Sequence, residues 1–405
     1  MDVDQYQWVV VGGGVAGGRA VEVLARSKQR TALVSAEPVL PYSRPPLSKG
    51  VLCGKKSFDD LVLRSTSYYH DKGIDLLLGD AGVQLNADAQ QLELASGRTL
   101  SFEKLLLAPG ARPAKLPVPG EHLDGVHYFR TIDDANRLKD CLVSSVDGEV
   151  VIIGGGFVGC EIASALRTFG RQVHIVESSG GLMVRALGEK VGQLMADLHR
   201  DAGVNLHLGV QVLQICGNGQ ARSVVLSNGE ELACGAVVIG IGAVPSVAWL
   251  ETSGLKLSEG IVVDEYAKTS AANIFAAGDA ARFWSRSLDR YIRVEHESNA
   301  LNQSVAAARN MLGGKVVHDP IPYVWSTQYD REIWCLGEPV GYDDVELRVD
   351  KARWEILALY CCRQMPVAAV GVNAPLALAY ARQLFQRRER FSLDQLAAAV
   401  VQDLT

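Results

Sequence analysis

The chain has 405 residues, 48% hydrophobic and 21% charged, with a formal net charge of −6. This length exceeds one ordinary core, so we expect two or three domains, and the absence of long charge runs argues against a nucleic-acid surface. No apolar run approaches the ~20 residues of a membrane span, and the acidic N-terminus is unlike a signal peptide. These features predict a soluble cytoplasmic protein with no membrane partner.

The eight cysteines contain no CxxC pair. This spacing argues against a structural zinc site and against a thioredoxin-type redox pair. We therefore predict no metal site, and we interpret the vicinal Cys361 and Cys362 as buried small hydrophobic residues.

The first supersecondary unit begins with an apolar run from Trp8 to Val11, followed by GGGVAG, an amphipathic segment and TALVS. This order predicts strand, glycine turn, helix and strand, with a GxGxxG motif at Gly12, Gly14 and Gly17. The first glycine permits a tight turn, the second lets the backbone approach a pyrophosphate, and the third lets helix and strand pack closely. The nearest acid after the second strand is Glu37, which either binds a ribose or is solvated.

The same unit recurs in VVIIGGGFVGCEIASALRTFGRQVHIVE, with glycines at 154, 156 and 159. Two copies in full strand–turn–helix context make a chance match improbable for Gly154, Gly156 and Gly159. Glu177 ends the second strand of this copy, where a carboxylate binds a ribose diol and repels a 2′-phosphate. This unit is therefore predicted to bind NADH in preference to NADPH.

The other elements follow in chain order. LLLAPGARP predicts a strand ending in a Pro-Gly turn, and the Pro-rich stretch at 115–121 predicts a domain connection. AVVIGIGAVPS at 236–246 repeats the strand and glycine turn, and Asp279 is predicted to begin a helix reaching Gly313. From Ile321 onward, short alternating segments predict strands, and a helical tail begins at Leu376.

The predicted fold class is α/β, with two Rossmann-like dinucleotide-binding domains and a C-terminal α+β interface domain. The first domain is discontinuous, at 1–114 and 241–318, the inserted second domain is 115–240, and the C-terminal domain is 319–405. Two dinucleotides suggest one nicotinamide and one flavin, because a nicotinamide passes only hydride whereas a flavin also releases electrons singly.

Longer motifs carry a family resemblance over nearly the whole chain. They are PYSRPPLSK at 41–49, YFRTIDDA at 128–135, GGGFVGCE, GIGAVP, AAGDAARF, RVEHESNALNQ and YVWSTQYD. With these motifs the chain resembles the NADH-dependent ferredoxin reductases of oxygenase systems, which are putidaredoxin-reductase-like flavoproteins of the glutathione-reductase superfamily, related to apoptosis-inducing-factor-like proteins. PPLSK together with WSTQYD is more specific than either glycine turn.

The resemblance implies FAD on the first unit and NADH on the second. Beyond the glycines, the residues that it implies for FAD are Ala16, Glu37, Arg44, Lys49, Val83, Arg130, Asp279 and Glu297. Gly242, in GIGAVP, is assigned to the NAD site together with the glycines of the second motif and Glu177. Asp279 has a second rationale, because amides at the start of its predicted helix would hold a phosphate. A plain N-cap is the alternative for Asp279.

Three residues are implied as catalytic. Lys49 resembles the lysine at the isoalloxazine edge, and Glu161 resembles the glutamate that pairs with it beside the nicotinamide. Hydride transfer needs no proton, so the role of Glu161 would be positioning and charge balance. Trp325 resembles an aromatic residue near the flavin; the alternatives are a surface position for Lys49 and an ordinary core position for Trp325.

Three departures from the family pattern are visible. Glu297 replaces a common proline, Glu37 is shifted by one position against Ala36, and Trp334 stands where a basic residue is common. An acidic ferredoxin would lose one charge pair at Trp334.

The leading hypothesis is an FAD enzyme that takes hydride from NADH and passes single electrons to a small [2Fe-2S] ferredoxin, as a monomer or weak homodimer. A cysteine-dependent NADH oxidase or disulfide reductase is the second, although Cys53 lies four residues too late to be its cysteine. A redox-controlled interaction protein and a flavin enzyme acting on a small metabolite remain open.

Overall fold

The computed structural model describes residues 3–144, 148–387 and 390–402. The chain forms two compact units. The first contains Met1–Pro45, Ser57–Arg112 and Ala243–Pro320, and the second contains Pro46–Lys56, Pro113–Gly242 and Ile321–Thr405.

The strands are numbered in chain order. They are β1 (Val3–Val11), β2 (Thr31–Ser35), β3 (Ile74–Leu78), β4 (Gly82–Asn86), β5 (Gln91–Leu94), β6 (Thr99–Leu107), β7 (Ala111–Pro113), β8 (Val126–Tyr128), β9 (Val150–Ile153), β10 (Val173–Glu177), β11 (Asn205–Leu208), β12 (Val212–Asn218), β13 (Gln220–Leu226), β14 (Glu231–Ala233), β15 (Ala236–Ile239), β16 (Ala243–Pro245), β17 (Ile261–Val263), β18 (Ile274–Ala276), β19 (Ala281–Ser285), β20 (Arg290–Ile292), β21 (Tyr323–Gln328), β22 (Arg331–Gly337), β23 (Asp344–Asp350), β24 (Glu355–Cys362) and β25 (Met365–Val372).

The helices are numbered likewise. They are α1 (Val15–Leu24), α2 (Thr66–Asp71), α3 (Ile132–Ser144), α4 (Phe157–Thr168), α5 (Val184–Leu187), α6 (Glu189–Asp201), α7 (Glu297–Met311), α8 (Pro375–Arg387) and α9 (Leu393–Gln402). Short 3-10 segments lie at Ala25–Ser27, Ala248–Leu250 and Gly278–Ala280, and a π-helical turn at Leu47–Val51.

A mixed sheet forms the centre of the first unit. Its strand order is β3-β2-β1-β6-β5-β4, and β18 also pairs with β6. Strands β1, β2, β3, β6 and β18 are parallel, because helices and loops connect them, whereas β4 and β5 add an antiparallel meander. The continuous apolar run in β6 is fully buried, as expected for a parallel strand covered on both faces.

The helix predicted from Asp279 to Gly313 is wrong over its first half. Asp279 lies in the three-residue 3-10 segment, and the chain then forms an antiparallel hairpin of β19 and β20. In β19 the side chains alternate, with Phe283 buried and Trp284 exposed, and this period of two is that of a strand. Helix α7 begins only at Glu297, capped by His296, which accepts from the Ser298 N–H.

The second unit contains a five-stranded parallel sheet in the order β11-β10-β9-β15-β8. Its apolar strands β9 and β15 are buried along their whole length. A three-stranded antiparallel sheet of β12, β13 and β14 packs against it through the core residues Val151, Val224 and Val237.

The C-terminal part of the second unit is an antiparallel sheet in the order β21-β22-β25-β24-β23, packed against α8 and α9. The strands and the helical tail predicted from the sequence are confirmed in the described residues, but β24 is buried almost throughout and does not alternate. The predicted fold class is therefore confirmed.

Acid should destabilise the first unit through His318. This side chain is buried, its Nε2–H donates to Asn299 Oδ1 at 3.0 Å, and burial lowers its pKa to about 4. Because the unfolded chain protonates near 6.5, stability is complete above that pH and falls as the pH drops towards 4. The loss is about 2 kcal/mol at pH 5. Urea unfolding measures the free energy of unfolding at about pH 8 and at about pH 5. Between these two values, His318→Gln should lose about 2 kcal/mol less of this free energy than the parent. Equal losses would contradict the assignment.

Candidate active site

The first glycine turn brings β1 and α1 together. Gly12 has φ +119°, and a Cβ there would lie 1.9 Å from the Ala108 carbonyl oxygen; a Cβ on Gly17 would lie 1.8 Å from the Gly12 oxygen. Only glycine allows these contacts. At Gly14, by contrast, a Cβ would meet no protein atom within 4 Å, and Gly14 caps α1 without a side chain. The amides that begin α1 are thus open to an anion.

The second glycine turn repeats this arrangement between β9 and α4. A Cβ on Gly154 would lie 2.4 Å from the Gly240 oxygen, and one on Gly159 would lie 2.1 Å from the Gly154 oxygen. Gly156 has no atom within 4 Å of its Cβ position and caps α4 without a side chain. In both motifs the first and third glycines are tight, because a Cβ there would collide with a backbone oxygen. The second glycine is open, because a Cβ there would meet no protein atom.

An acid stands at or just beyond the end of the second strand of each motif, with Glu177 ending β10 and Glu37 two residues after β2. Glu177, at the end of β10, accepts hydrogen bonds from the N–H groups of Gly155 at 2.7 Å and Ser179 at 2.8 Å. Its carboxylate therefore lies at the glycine turn, where a ribose would bind.

Glu37 is not simply solvated, contrary to one of the two alternatives. Its carboxylate pairs with Arg44 at 2.5 Å and accepts from the Tyr42 hydroxyl at 2.6 Å. The structure thus joins two residues that the sequence assigned to the FAD site.

The other residues predicted for FAD in the first unit lie on several elements. Ala16, on α1, packs with Ala108 and with Ala300 of α7. The 3-10 turn that holds Asp279 is fixed by the Gly278 N–H, which donates to Gln303 Oε1 at 2.9 Å. Because this segment has only three residues, the rationale that a long helix begins at Asp279 does not hold.

Glu297 and Val83 complete the first-unit set. Glu297 begins α7 and accepts from the Ser43 hydroxyl at 2.9 Å; burial raises the pKa of its carboxyl group, although this hydrogen bond opposes the shift. Val83 lies on β4 with 43% of its surface exposed.

In the second unit, Arg130 precedes α3, and its backbone N–H donates to Asp134 at 3.0 Å. Gly242 has φ +120° and open space at its Cβ position, and its carbonyl accepts from the Ala114 N–H. Both positions follow strands of the parallel sheet, β8 and β15.

In the second unit, the partly exposed Lys49 forms an ion pair with the buried Glu161. The Lys49 ammonium lies 2.9 Å from Glu161 Oε1, and the glutamate is 8% exposed. Glu161 is on α4, one turn after the open Gly156. Lys49 lies in the π-helical turn that follows the Pro-Pro sequence, and it is not a free surface lysine.

Two serines that sequence reasoning missed also bind this carboxylate. Ser48 donates to Glu161 Oε2 at 2.6 Å, and Ser326 donates to Oε1 at 2.5 Å. Three donors therefore compensate one buried negative charge, as burial of a carboxylate requires. The signal was present, since both serines lie in the motifs PPLSK and WSTQYD.

Trp325 is not a core tryptophan. It is 38% exposed, and the Lys49 ammonium lies 4.7 Å from the centroid of its ring, a cation–π contact. Trp334 is instead buried, with its indole N–H donating to the Ala374 carbonyl. Trp334 thus packs inside the C-terminal sheet, and the loss of a charge pair with an acidic ferredoxin stays a prediction.

The described residues contain no group of three or more His, Cys, Asp and Glu side chains arranged to hold a metal ion. No described helix combines the length and the apolar character that crossing a bilayer requires. The eight cysteines all lie within the described residues, and none of them forms a disulfide there.

The chain has two strand–turn–helix motifs, and in each the N-cap glycine leaves the first amides of the helix open. These motifs fit two dinucleotides, which is typical of an oxidoreductase that binds two nucleotides. Comparison with known proteins agrees. Residues 6–308 match the model described as pyridine nucleotide-disulphide oxidoreductase, and residues 323–403 match the model described as reductase C-terminal. The chain belongs to the pyridine nucleotide-disulphide oxidoreductase family, whose members use FAD and NAD(P)H.

The chain is 34% identical to rhodocoxin reductase of Rhodococcus erythropolis, covering 96% of this chain and 91% of that protein. It is 33% identical to putidaredoxin reductase of Pseudomonas putida, covering 94% and 92%. A crystal structure of the covalent putidaredoxin reductase–putidaredoxin complex matches with a TM-score of 0.91 and 32% identity, covering 98% of this chain and 96% of that one.

Proposed function

We propose that this chain oxidises NADH and passes the electrons singly to a small [2Fe-2S] ferredoxin that serves an oxygenase or a P450. The observation that carries the proposal is the ion pair of Lys49 with the buried Glu161, one turn beyond the open glycine of the second motif. When bound, FAD accepts hydride and releases electrons one at a time. We propose a cytoplasmic location because eight cysteines that form no disulfide suit a reducing compartment.

The proposed assignment of residues follows the two motifs. Gly12, Gly14, Ala16 and Gly17 would hold the FAD pyrophosphate at the start of α1, and the Glu37–Arg44 pair would bind its ribose end. Lys49, Val83, Arg130, Asp279 and Glu297 stay predictions for FAD.

Glu161 would position NADH and balance charge beside its reactive end. It takes no proton in this role, because hydride transfer releases none. The Lys49 ammonium and two serine hydroxyls hold the Glu161 carboxylate in one orientation before NADH binds. NADH binding therefore does not have to order this carboxylate. Gly154, Gly156, Gly159 and Gly242 would line the pyrophosphate and the adjoining turn.

Glu177 should decide between NADH and NADPH. Its carboxylate would accept from the ribose diol, and it would repel a 2′-phosphate. Glu177→Ala should lower kcat/KM for NADH about 10-fold, as expected for one hydrogen bond to a charged group, while that for NADPH is unchanged or rises. Steady-state rates with both nucleotides measure this effect. Glu189→Ala, which removes an exposed carboxylate of the same unit, is the control. An unchanged NADH preference in Glu177→Ala would contradict the assignment.

The relatives support an iron–sulfur acceptor, since two of them are named for rhodocoxin and putidaredoxin. A panel of ferredoxins, with a rubredoxin and a quinone as controls, tests the acceptor class. The NADH-reduced enzyme should transfer electrons fastest to a [2Fe-2S] ferredoxin; faster transfer to the quinone would overturn the proposal.

A further inference from the structure

A buried chain of hydrogen bonds leads from α6 to Glu161. It begins at His199 and passes through Gln328 and Ser326 of β21, and none of these three side chains is more than 1% exposed. His199 Nε2 lies 3.0 Å from Gln328 Oε1, Gln328 Nε2 lies 3.3 Å from Ser326 Oγ, and Ser326 Oγ lies 2.5 Å from Glu161 Oε1. All four residues belong to the second unit.

The direction of every hydrogen bond in this chain is fixed. Burial lowers the pKa of His199 to about 4, so its ring is neutral at neutral pH and carries one proton. Gln328 Oε1 can only accept, so that proton is on Nε2. Nδ1 therefore accepts from the Tyr329 hydroxyl, 3.0 Å away, whose pKa is raised by burial.

The Gln328 amide is oriented independently by Met183, because Gln328 Nε2 lies 3.3 Å from Met183 Sδ, which can only accept. The amide oxygen therefore faces the imidazole, and the NH₂ group faces Ser326. Ser326 has one hydroxyl proton. Because Ser326 Oγ already accepts from Gln328, this proton is directed to Glu161. A reversed amide would offer Ser326 an acceptor that competes with Glu161.

The hairpin turn beside this chain is held in a strained conformation. Tyr329 has φ +56°, which is uncommon for a residue with a Cβ. Its backbone N–H donates to Ser164 on α4, the helix that carries Glu161, and its hydroxyl donates to His199 on α6. These two contacts hold the end of β21, and hence Gln328, against both helices.

We propose that Gln328 and His199 are positioning residues that keep the Ser326 hydroxyl aimed at Glu161 and so fix the orientation of this carboxylate for NADH. The inference rests on the proposed function through the role of Glu161. Neither residue touches the reacting atoms; both act through Ser326.

A double-mutant cycle on the FAD-loaded enzyme tests the proposal. Gln328→Met keeps the length of the side chain but removes the donor, and it should slow the limiting rate of anaerobic flavin reduction about 10-fold, with little change in NADH affinity. In a Glu161→Ala background, which leaves Ser326 no carboxylate to bind, Gln328→Met should have almost no further effect. His199→Phe, which keeps a ring of similar size against Tyr329, should give a smaller loss with the same non-additivity. Thr327→Val, on the same strand, is the control.

A crystal structure of the Gln328→Met variant supplies a readout independent of activity. The distance between Ser326 Oγ and Glu161 Oε1 should lengthen beyond hydrogen-bonding range, or the Ser326 side chain should adopt another rotamer. An unchanged contact, or equal effects of Gln328→Met in both backgrounds, would overturn the proposal. If Glu161→Ala alone leaves flavin reduction unchanged, the assigned role of Glu161 fails, and the inference fails with it. If Glu161→Ala slows flavin reduction but Gln328→Met does not, only the inference fails.

Discussion

Glu161→Ala should slow reduction of the bound flavin by NADH about 100-fold, a loss of about 2.7 kcal/mol in transition-state stabilisation. The substitution removes the carboxylate that orders Lys49, Ser48 and Ser326 beside the second glycine turn. FAD should stay bound, because the first glycine turn and α1 are untouched. Anaerobic stopped-flow at the main visible flavin band measures the rate, and the spectrum of the purified protein gives the FAD content.

Glu161→Gln is the matched control for this variant. Its amide oxygen can still accept from Lys49 and Ser326, but it carries no charge, so we expect an intermediate loss of about 10-fold. A rate equal to that of the parent in Glu161→Ala, or loss of FAD from it, would contradict the assigned role.

Gly14→Ala and Gly156→Ala should separate the two nucleotide sites. Both positions have φ values that alanine adopts, −86° and −79°, and a Cβ at either meets no protein atom within 4 Å. Both variants should therefore fold, while the added methyl group fills the space that a pyrophosphate needs. Gly14→Ala should be purified with little FAD. Gly156→Ala should retain FAD and bind NADH about 100-fold more weakly, a loss of about 2.7 kcal/mol.

The tight glycines supply the contrast. A Cβ on Gly17 or Gly159 would collide with a backbone oxygen, so these alanine variants should lose thermal stability as well as nucleotide binding. Loss of FAD from Gly156→Ala, with normal FAD in Gly14→Ala, would reverse the assignment of the two sites.

Sequence reasoning identified what depends on local pattern. The two glycine turns, the alternating C-terminal strands and the pair of Lys49 and Glu161 were all predicted, the last from resemblance of the motifs. Glycine turns are readable because steric limits act between residues a few positions apart.

The errors and omissions depend on pairing and packing between distant segments. The segment after Asp279 contains residues compatible with a helix, and the pairing of β19 with β17 and β20 decides that it is a strand. Likewise, Trp334 donates to the Ala374 carbonyl and Ser48 donates to Glu161. Each of these hydrogen bonds joins residues that are far apart in the sequence, so spacing alone does not predict them.

A single-turnover titration tests the central claim most directly. The FAD-loaded enzyme is reduced anaerobically with a limiting amount of NADH and mixed with an oxidised [2Fe-2S] ferredoxin. We expect about two ferredoxins to be reduced for each NADH consumed, because the flavin converts one hydride into two single-electron transfers. A flavin that NADH reduces but that leaves the ferredoxin oxidised would contradict the proposed function.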